Sequence, residues 1–160
     1  MNEIKAPLLS ETISSDIVFF CAERNIKLTK SQIAMIDLID FWQSSRDYME
    51  PLRPTLAISL GQCQGQTQLW LILAEMFKFV TIAFKNDEIK DAITGSLVVT
   101  RRIHHRQVIS HAELVTHKFR ARATEEPSLL IIDEYHYNAE VFIDLLPELE
   151  KASLRGLILA

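Results

Sequence analysis

The stretch of this sequence best suited to chemistry is a pair of adjacent carboxylates that ends an aliphatic run. Leu129 to Ile132 are four apolar residues, and Asp133 and Glu134 follow them directly. Such an unbroken run predicts a strand that is buried on both faces of a parallel sheet. Sheets of this kind bind their ligands at the carboxyl ends of the strands. Two acids at that position can hold Mg²⁺, through Asp133, and polarise an attacking water, through Glu134.

A glycine-containing turn upstream has residues for the complementary half of such a site. A predicted strand at 55–60 leads through GQCQGQT, residues 61–67, into a predicted helix at 68–77. This order is the local context of phosphate-binding loops, in which backbone N–H groups at a helix start surround the phosphates. Gly61 and Gly65 allow a close approach of the backbone. The Thr67 hydroxyl is a candidate ligand for Mg²⁺.

The loop departs from the general phosphate-loop pattern at the position that carries the charge. Gln66 occupies the lysine position, and Gly61 and Gly65 are one residue closer together than in that pattern. A neutral amide can hydrogen-bond a phosphate oxygen, but it cannot offset the phosphate charge. Losing one charge-assisted contact in a site of low dielectric costs roughly 2 to 4 kcal/mol. We therefore expect badly impaired hydrolysis, with ATP and Mg²⁺ as cofactors that are bound weakly or not at all.

The remaining pattern alternates helices with strands. Further strands are predicted at 79–84, 96–100 and 154–160. Helices are predicted at 16–24, from Thr29 or Ser31 to about Arg46, from Asn86 or Asp87 to Ile93, at 110–119 and at 139–152. This alternation implies right-handed crossovers and an α/β fold with a mostly parallel sheet in three layers. We expect an N-terminal arm with one short helix at 1–27 and a P-loop NTPase-like domain at 28–160.

The composition is typical of a globular chain with a local charge asymmetry. Hydrophobic residues make up 48% and charged residues 24%, and we expect neither a membrane span nor a secretion signal. The net charge is −4, yet residues 101–122 carry six Lys or Arg and one acid, whereas residues 125–150 carry eight acids and no Lys or Arg. The basic segment is a candidate for DNA contact or, equally, a solvated face that balances the acidic one. Its candidate phosphate contacts are Arg101, Arg102, Arg106, Arg120 and Arg122.

The cysteines and histidines give weaker indications. Cys21 and Cys63 are far apart and lie in no metal-binding spacing, which is typical of reduced thiols in a cytoplasmic protein. Cys63 lies at a predicted helix start, where the pKa of a thiol falls, but the sequence offers no base to pair with it. None of the five histidines forms a His-x₃-His pair on a clear helix, so we expect ordinary histidines rather than metal ligands.

Taken together, these segments resemble the N-terminal ATPase domain of the large terminase subunits of tailed bacteriophages, the DNA-packaging motors. DExH helicases share most of the motifs. The matching segments within residues 28–160 are QIAMIDLID, SSR, TLAISLGQCQGQT, LLIIDE and RGLILA. In many terminases the loop reads Arg-Gln-x-Gly-Lys-Thr, so the resemblance sets Gln62 at the arginine position and Gln66 at the lysine position. The segment LTKSQ is similar to the adenine-reading segment of that family, which nominates Gln32 for contact with the base.

The resemblance implies a shortened, degenerate relative of such a motor, of viral origin and located in the host cytoplasm. Our first hypothesis is a binding module that has lost efficient ATP hydrolysis and engages a protein partner, a nucleic acid or both. The second is a minimal Mg-ATPase that uses Gln66 and Thr67 for Mg-ATP and Glu134 for catalysis. The third is the ATPase piece of a longer or split motor, in which an arginine from another subunit supplies the missing cation.

Overall fold

The computed structural model of the protein describes residues 13–45, 55–58, 65–100, 103–116, 129–152 and 156–160, with the backbone alone at 44–45, 96–100 and 151–152. Seven α-helices and five strands lie within these ranges. The chain divides into two compact units, residues 1–53 and 54–160. No helix in the described ranges is both long enough and apolar enough to cross a membrane.

The first unit contains helix α1 (Ile13–Glu23) and helix α2 (Lys30–Ser45). The buried residues of α1 are Ile13, Ile17 and Cys21, which follow one another at four-residue intervals and so share one face. The described helix includes three residues before position 16, where the helix was predicted to begin. Ile13 lies on the same buried face, so the helix includes residues of the stretch that was predicted to be an arm.

Helix α2 begins with a reciprocal pair of hydrogen bonds between Thr29 and Gln32. The Thr29 Oγ1 accepts from the Gln32 backbone N–H at 3.1 Å, and the Gln32 Oε1 accepts from the Thr29 backbone N–H at 2.9 Å. This arrangement is a capping box, and it makes Thr29 rather than Ser31 the N-cap. Ile33 of α2 faces outward, since it is 46% exposed. The buried apolar residues of α2 are Met35, Ile36 and Ile39.

The second unit is an α/β structure built on a parallel sheet. The strands in its described ranges are β1 (Thr55–Ala57), β2 (Val80–Phe84), β3 (Val108–Ser110), β4 (Leu129–Ile132) and β5 (Gly156–Leu159). They are arranged in the order β1-β5-β4-β2-β3, and every pair is parallel. The predicted α/β class and parallel sheet are confirmed. Strand β4, which precedes the acid pair, is the central strand and is buried along its whole length.

Helices connect these strands and cover the sheet. They are α3 (Gln66–Met76), α4 (Asp87–Thr100), α5 (His111–Leu114), α6 (Ala139–Ile143) and α7 (Leu146–Ala152). One hydrophobic cluster joins α5, α6 and α7 to the sheet, and its members are Ala83, Ile109, Leu114, Leu130, Ile132, Phe142, Leu149 and Leu157. Side chains alternate along a strand, so Leu129 and Ile131 point to the opposite face, where they are also buried. Both faces of β4 are therefore covered.

The predicted strand at 96–100 was wrong, because these residues form the end of α4. A short apolar run such as SLVVT fits a buried strand and a helix equally well by periodicity. Gly95 does not interrupt this helix, since it faces open space and costs only its weak helix propensity, about 1 kcal/mol relative to alanine. The start of the helix is capped by Asn86, whose Oδ1 accepts from the Ile89 backbone N–H at 2.9 Å.

Strand β3 lies in a segment where no strand was predicted. It is only three residues long and follows a 3₁₀ turn at His105–Gln107. The buried Gln107 holds its start in place, since its Nε2 lies 2.7 to 3.0 Å from three carbonyl oxygens, those of Ala74, Phe77 and Val80. These contacts join β3 to the end of α3 and the beginning of β2. Strand β3 is therefore held in place by long-range polar contacts, and no local sequence pattern indicates it.

The two helices predicted on either side of β4 are shorter than expected. Helix α5 begins at His111, where Ser110 caps it by accepting the Glu113 backbone N–H at 3.2 Å, and residues 117–119 of the prediction lie outside the described ranges. The predicted helix at 139–152 is divided into α6 and α7. Pro147 explains the division, because proline has no N–H to continue a helix and fits the first turn of a new one.

Candidate functional site

The direction of the crossovers predicts a ligand crevice between β4 and β2. The chain leaves β4 towards β5 on one side, whereas it leaves β2 towards β3 on the other side. Open parallel sheets bind ligands at such a reversal, outside the carboxyl ends of the strands. Asp133 and Glu134 follow β4, and Lys85 follows β2. The topology therefore brings the acid pair and a lysine to the position where a ligand is expected.

Asp133 joins the acid pair to the end of the glycine loop. Its Oδ2 accepts a hydrogen bond from the Thr67 hydroxyl at 2.9 Å, and its Oδ1 accepts one from the Gln66 Nε2 at 3.3 Å. Gln66 and Thr67 are the first two residues of α3, and Asp133 is only 3% exposed. The structure thus brings together three of the candidate site residues. Both carboxylate oxygens of Asp133 are occupied by side chains of the loop.

Gly65 provides the turn that leads into α3. Its φ of 77° and ψ of 15° lie in the left-handed region, which glycine adopts without steric cost. A side chain at this position would strain the entry to the helix and displace Gln66 and Thr67 from Asp133. The other loop candidates, Gly61 and Gln62, lie outside the described ranges, and so does Cys63.

Glu134 has a strained backbone and a partner of its own. Its φ of 51° and ψ of 46° are also left-handed, which costs a residue with a Cβ atom of order 1 kcal/mol. Two backbone hydrogen bonds, both 2.9 Å long, fix the turn: Tyr135 N–H donates to the Ala160 carbonyl, and Tyr137 N–H donates to the Glu134 carbonyl. The Oε2 of Glu134 is 3.6 Å from the Nζ of Lys85. The two acids therefore have different partners, the loop for Asp133 and a lysine for Glu134.

A buried histidine supports the same turn from the side of β3. His111 Nε2 lies 2.8 Å from the Asp133 carbonyl oxygen, and His111 Nδ1 lies 2.9 Å from the Asn138 Nδ2. A carbonyl can only accept and an amide nitrogen can only donate, so the imidazole is neutral with its proton on Nε2. Burial lowers the pKa of His111, although the contact with the Asp133 carbonyl acts in the opposite direction.

Because His111 is buried and neutral, we expect the free energy of unfolding to depend on pH. The pKa of His111 in the folded chain lies below the unfolded value of about 6.5, so below that pH the unfolded chain binds a proton that the folded chain does not. Stability is then fully present above about pH 6.5 and falls with pH below it, by up to roughly 1.4 kcal/mol per unit. Urea denaturation at several pH values should show this decline, and His111→Gln should make it shallower.

Substitution of His136 provides the matched control for this pH dependence. His136 is an exposed histidine in the 3₁₀ turn that follows the acid pair, and His136→Gln should keep the wild-type slope. An unchanged slope in His111→Gln would show that another group causes the decline.

Of the remaining candidate residues, Gln32 and Arg106 lie within the described ranges. Gln32 belongs to the first unit, is 6% exposed and uses its amide oxygen in the capping box of α2. Arg106 is exposed and precedes β3, so it lies at the amino edge of the sheet, opposite to the edge that carries the acids. The other arginine candidates, Arg101, Arg102, Arg120 and Arg122, lie outside the described ranges.

Thr67 and Asp133 have the donor atoms that Mg²⁺ prefers. A hydroxyl oxygen and a carboxylate oxygen lie 2.9 Å apart, and Mg²⁺ in nucleotide sites takes one or two such protein oxygens and keeps several waters. These two residues therefore fit the ion. Among the described residues no group of three or more His, Cys, Asp or Glu side chains forms a metal site. Cys21 is a buried free thiol whose pKa is raised by burial.

Sequence reasoning missed three residues that complete this arrangement: Lys85, Asn138 and His111 in its role as a support. Lys85 directly follows the predicted strand at 79–84, so a carboxyl-end position was evident from the sequence. The order of the strands was not, and only that order sets Lys85 beside the acid pair. His111 follows β3, the strand that was not predicted.

No protein-family model, curated protein or solved structure gives a significant match to this chain. The function is therefore inferred from the side chains at the carboxyl edge of the sheet.

Proposed function

We propose that the second unit is a degenerate, P-loop-like ATPase domain, related to that of the large terminase subunits and of viral origin. It acts mainly as a binding module for a protein or a nucleic acid, and it binds Mg-ATP weakly and hydrolyses it inefficiently. The observation that carries the proposal is the contact of Gln66 and Thr67 with Asp133. The loop and the acid meet as a nucleotide site requires, but the loop residue beside the acid is a neutral amide.

This contact explains why nucleotide binding should be weak. When bound, Mg²⁺ supplies a Lewis acid that neutralises phosphate charge. To hold the ion, Thr67 and Asp133 must exchange their mutual hydrogen bond for contacts with the metal and its waters. Gln66 must leave Asp133 to reach a phosphate, and it then offers a dipole where a lysine would offer a charge. Both requirements reduce the affinity for Mg-ATP and the stabilisation of the transition state.

Calorimetry with Mg-ATP and with a nonhydrolysable analogue tests this proposal. The wild-type chain should bind both ligands with a Kd on the order of 1 mM, which corresponds to about −4 kcal/mol. A Kd on the order of 1 μM or lower would contradict a degenerate site, because that affinity needs about twice the binding free energy.

A second candidate function is a Mg-ATPase that depends on a partner. The observation that favours it is the position of Glu134, whose carboxylate is paired with Lys85 rather than held in the loop contact. This acid has kept a strained backbone conformation, and such strain tends to persist where it serves a function. An arginine supplied by another subunit would complete the charge of the site. ATP turnover that appears only with a partner would favour this candidate.

The nucleic-acid part of the proposal predicts a specific loss of DNA binding. Replacing Arg101, Arg102 and Arg106 by Glu reverses three charges and should remove affinity for DNA. The slope of log Kd against log salt should fall by roughly 2 to 3, because each neutralised phosphate contributes about 0.7 to 0.9 to that slope. Fluorescence anisotropy over a salt series measures both quantities. The matched control reverses three lysines of other segments, Lys27, Lys30 and Lys78, all of them exposed. Equal losses in the two triple variants would show that net charge, rather than the basic segment, determines binding.

A further inference from the structure

Lys85 occupies the side of the crevice that faces the acid pair. Strand β2 pairs with β4 in parallel, with Ala83 opposite Ile132, and two further residues along this register set Lys85 opposite Glu134. The last bond of this ladder joins the two strand ends, since Asp133 N–H donates to the Ala83 carbonyl at 2.9 Å. Lys85 thus directly follows β2, with its Nζ 3.6 Å from Glu134 Oε2, at the reversal of crossover direction where a ligand is expected.

The Lys85 ammonium is near Glu134 but is too far from it for a direct hydrogen bond. The distance of 3.6 Å to Oε2 exceeds that of a direct hydrogen bond, and the side chain is 27% exposed. The same Nζ lies 5.2 Å from the centroid of the Tyr137 ring, which limits its directions. An ammonium held in this way can turn towards an anion in the crevice while it remains close to Glu134.

The other cations of the second unit with described side chains are not available at this edge. Lys90 forms an ion pair with Glu113. Lys78 follows α3 and precedes β2, and Arg106 precedes β3, so both lie at the amino edge of the sheet. Lys85 is therefore the cation that the described structure places beside Glu134.

The charges of the site require such a cation. Two carboxylates and a triphosphate are all negative, and Gln66 adds no positive charge beside them. Mg²⁺ offsets part of this charge, and a lysine within reach of the phosphates offsets more. We propose that Lys85 contacts the phosphates of the nucleotide and takes the place of the absent loop lysine. This inference rests on the weak nucleotide binding proposed above.

The test is an NMR titration with Mg-ATP, which measures affinities in the millimolar range. Lys85→Gln should raise the Kd about tenfold, the loss expected for one charge-assisted contact. Lys85→Arg, which keeps the charge, should stay close to wild type. Adding Gln66→Lys to Lys85→Gln should restore binding, because the loop then supplies the charge. Lys78→Gln removes a lysine at the opposite edge and should leave the affinity unchanged.

The same substitution made in a Glu134→Gln variant separates direct contact of Lys85 with the phosphates from an effect of Lys85 through Glu134. If Lys85 contacts the phosphates, Lys85→Gln should still weaken binding about tenfold when Glu134 is already replaced by Gln. If the substitution has no effect in that background, Lys85 acts only by positioning Glu134 and the inference is overturned. Equal Mg-ATP affinity of wild type and Lys85→Gln also overturns it, while the proposed function stands. Absence of binding by wild type and by Gln66→Lys overturns both.

Discussion

Asp133→Ala should lower the free energy of unfolding by about 3 kcal/mol, because it removes two hydrogen bonds to a charged acceptor, each contributing roughly 1.5 to 3 kcal/mol. The substitution removes the Asp133 acceptor from the Thr67 hydroxyl and the Gln66 amide, both of which are partly buried. The backbone contacts of residue 133 with Ala83 and His111 do not depend on its side chain, so the loss reports on the contact with the loop. Urea denaturation followed by the fluorescence of Trp70, a buried residue of α3, measures this loss.

Two variants control for effects unrelated to that contact. Asp133→Asn keeps one neutral hydrogen bond with Thr67, which contributes about 1 kcal/mol, so this substitution should cost about 2 kcal/mol. Glu134→Ala removes the adjacent acid, whose ion pair with Lys85 is partly exposed and contributes between about 0 and 1 kcal/mol. If Asp133→Ala were no more destabilising than Glu134→Ala, the contact between the loop and β4 would not stabilise the fold.

Gln66→Lys should tighten the binding of Mg-ATP at least tenfold. The new ammonium would lie where Gln66 now contacts Asp133 and could turn to the phosphates, which restores a charge-assisted contact of roughly 2 to 4 kcal/mol. Calorimetry with the nonhydrolysable analogue measures the affinity without interference from turnover.

Gln68→Lys is the matched control for this substitution. It introduces the same charge on the same helix two residues later, at an exposed position, and should change the affinity less than twofold to threefold, as expected for a screened surface charge. An equal gain in both variants would indicate a general effect of charge. No gain in Gln66→Lys would show that the missing lysine is not what weakens the site.

The parts of the fold that could be predicted from the sequence are those with a strong local signal. The run Leu129 to Ile132 is buried on both faces, as its unbroken apolar character predicted. The strand, glycine and helix order around Gly65 predicted the start of α3 within two residues. The contact of Asp133 with Thr67 follows the rule that parallel strands end at a common edge.

The errors have physical causes that the sequence does not reveal locally. The run SLVVT is apolar enough for a strand, but Asn86 starts a helix that continues through it. Strand β3 depends on the buried amide of Gln107, whose three acceptors are about 30 residues away in the sequence. Lys85 and His111 reach the acid pair only because β2 adjoins β4 and β3 adjoins β2. Strand order is a tertiary property, and it determined which residues complete the site.

The measurement that tests the central claim most directly is the rate of ATP hydrolysis by the chain alone, under single-turnover conditions with Mg²⁺. Glu134→Gln, which removes the acid that would polarise the attacking water, provides the comparison. A degenerate site that hydrolyses ATP inefficiently predicts a wild-type rate only slightly above that of Glu134→Gln. A wild-type rate about a hundredfold or more above that of Glu134→Gln, the loss expected when a working catalytic base is removed, would contradict the account and identify the chain as an ATPase.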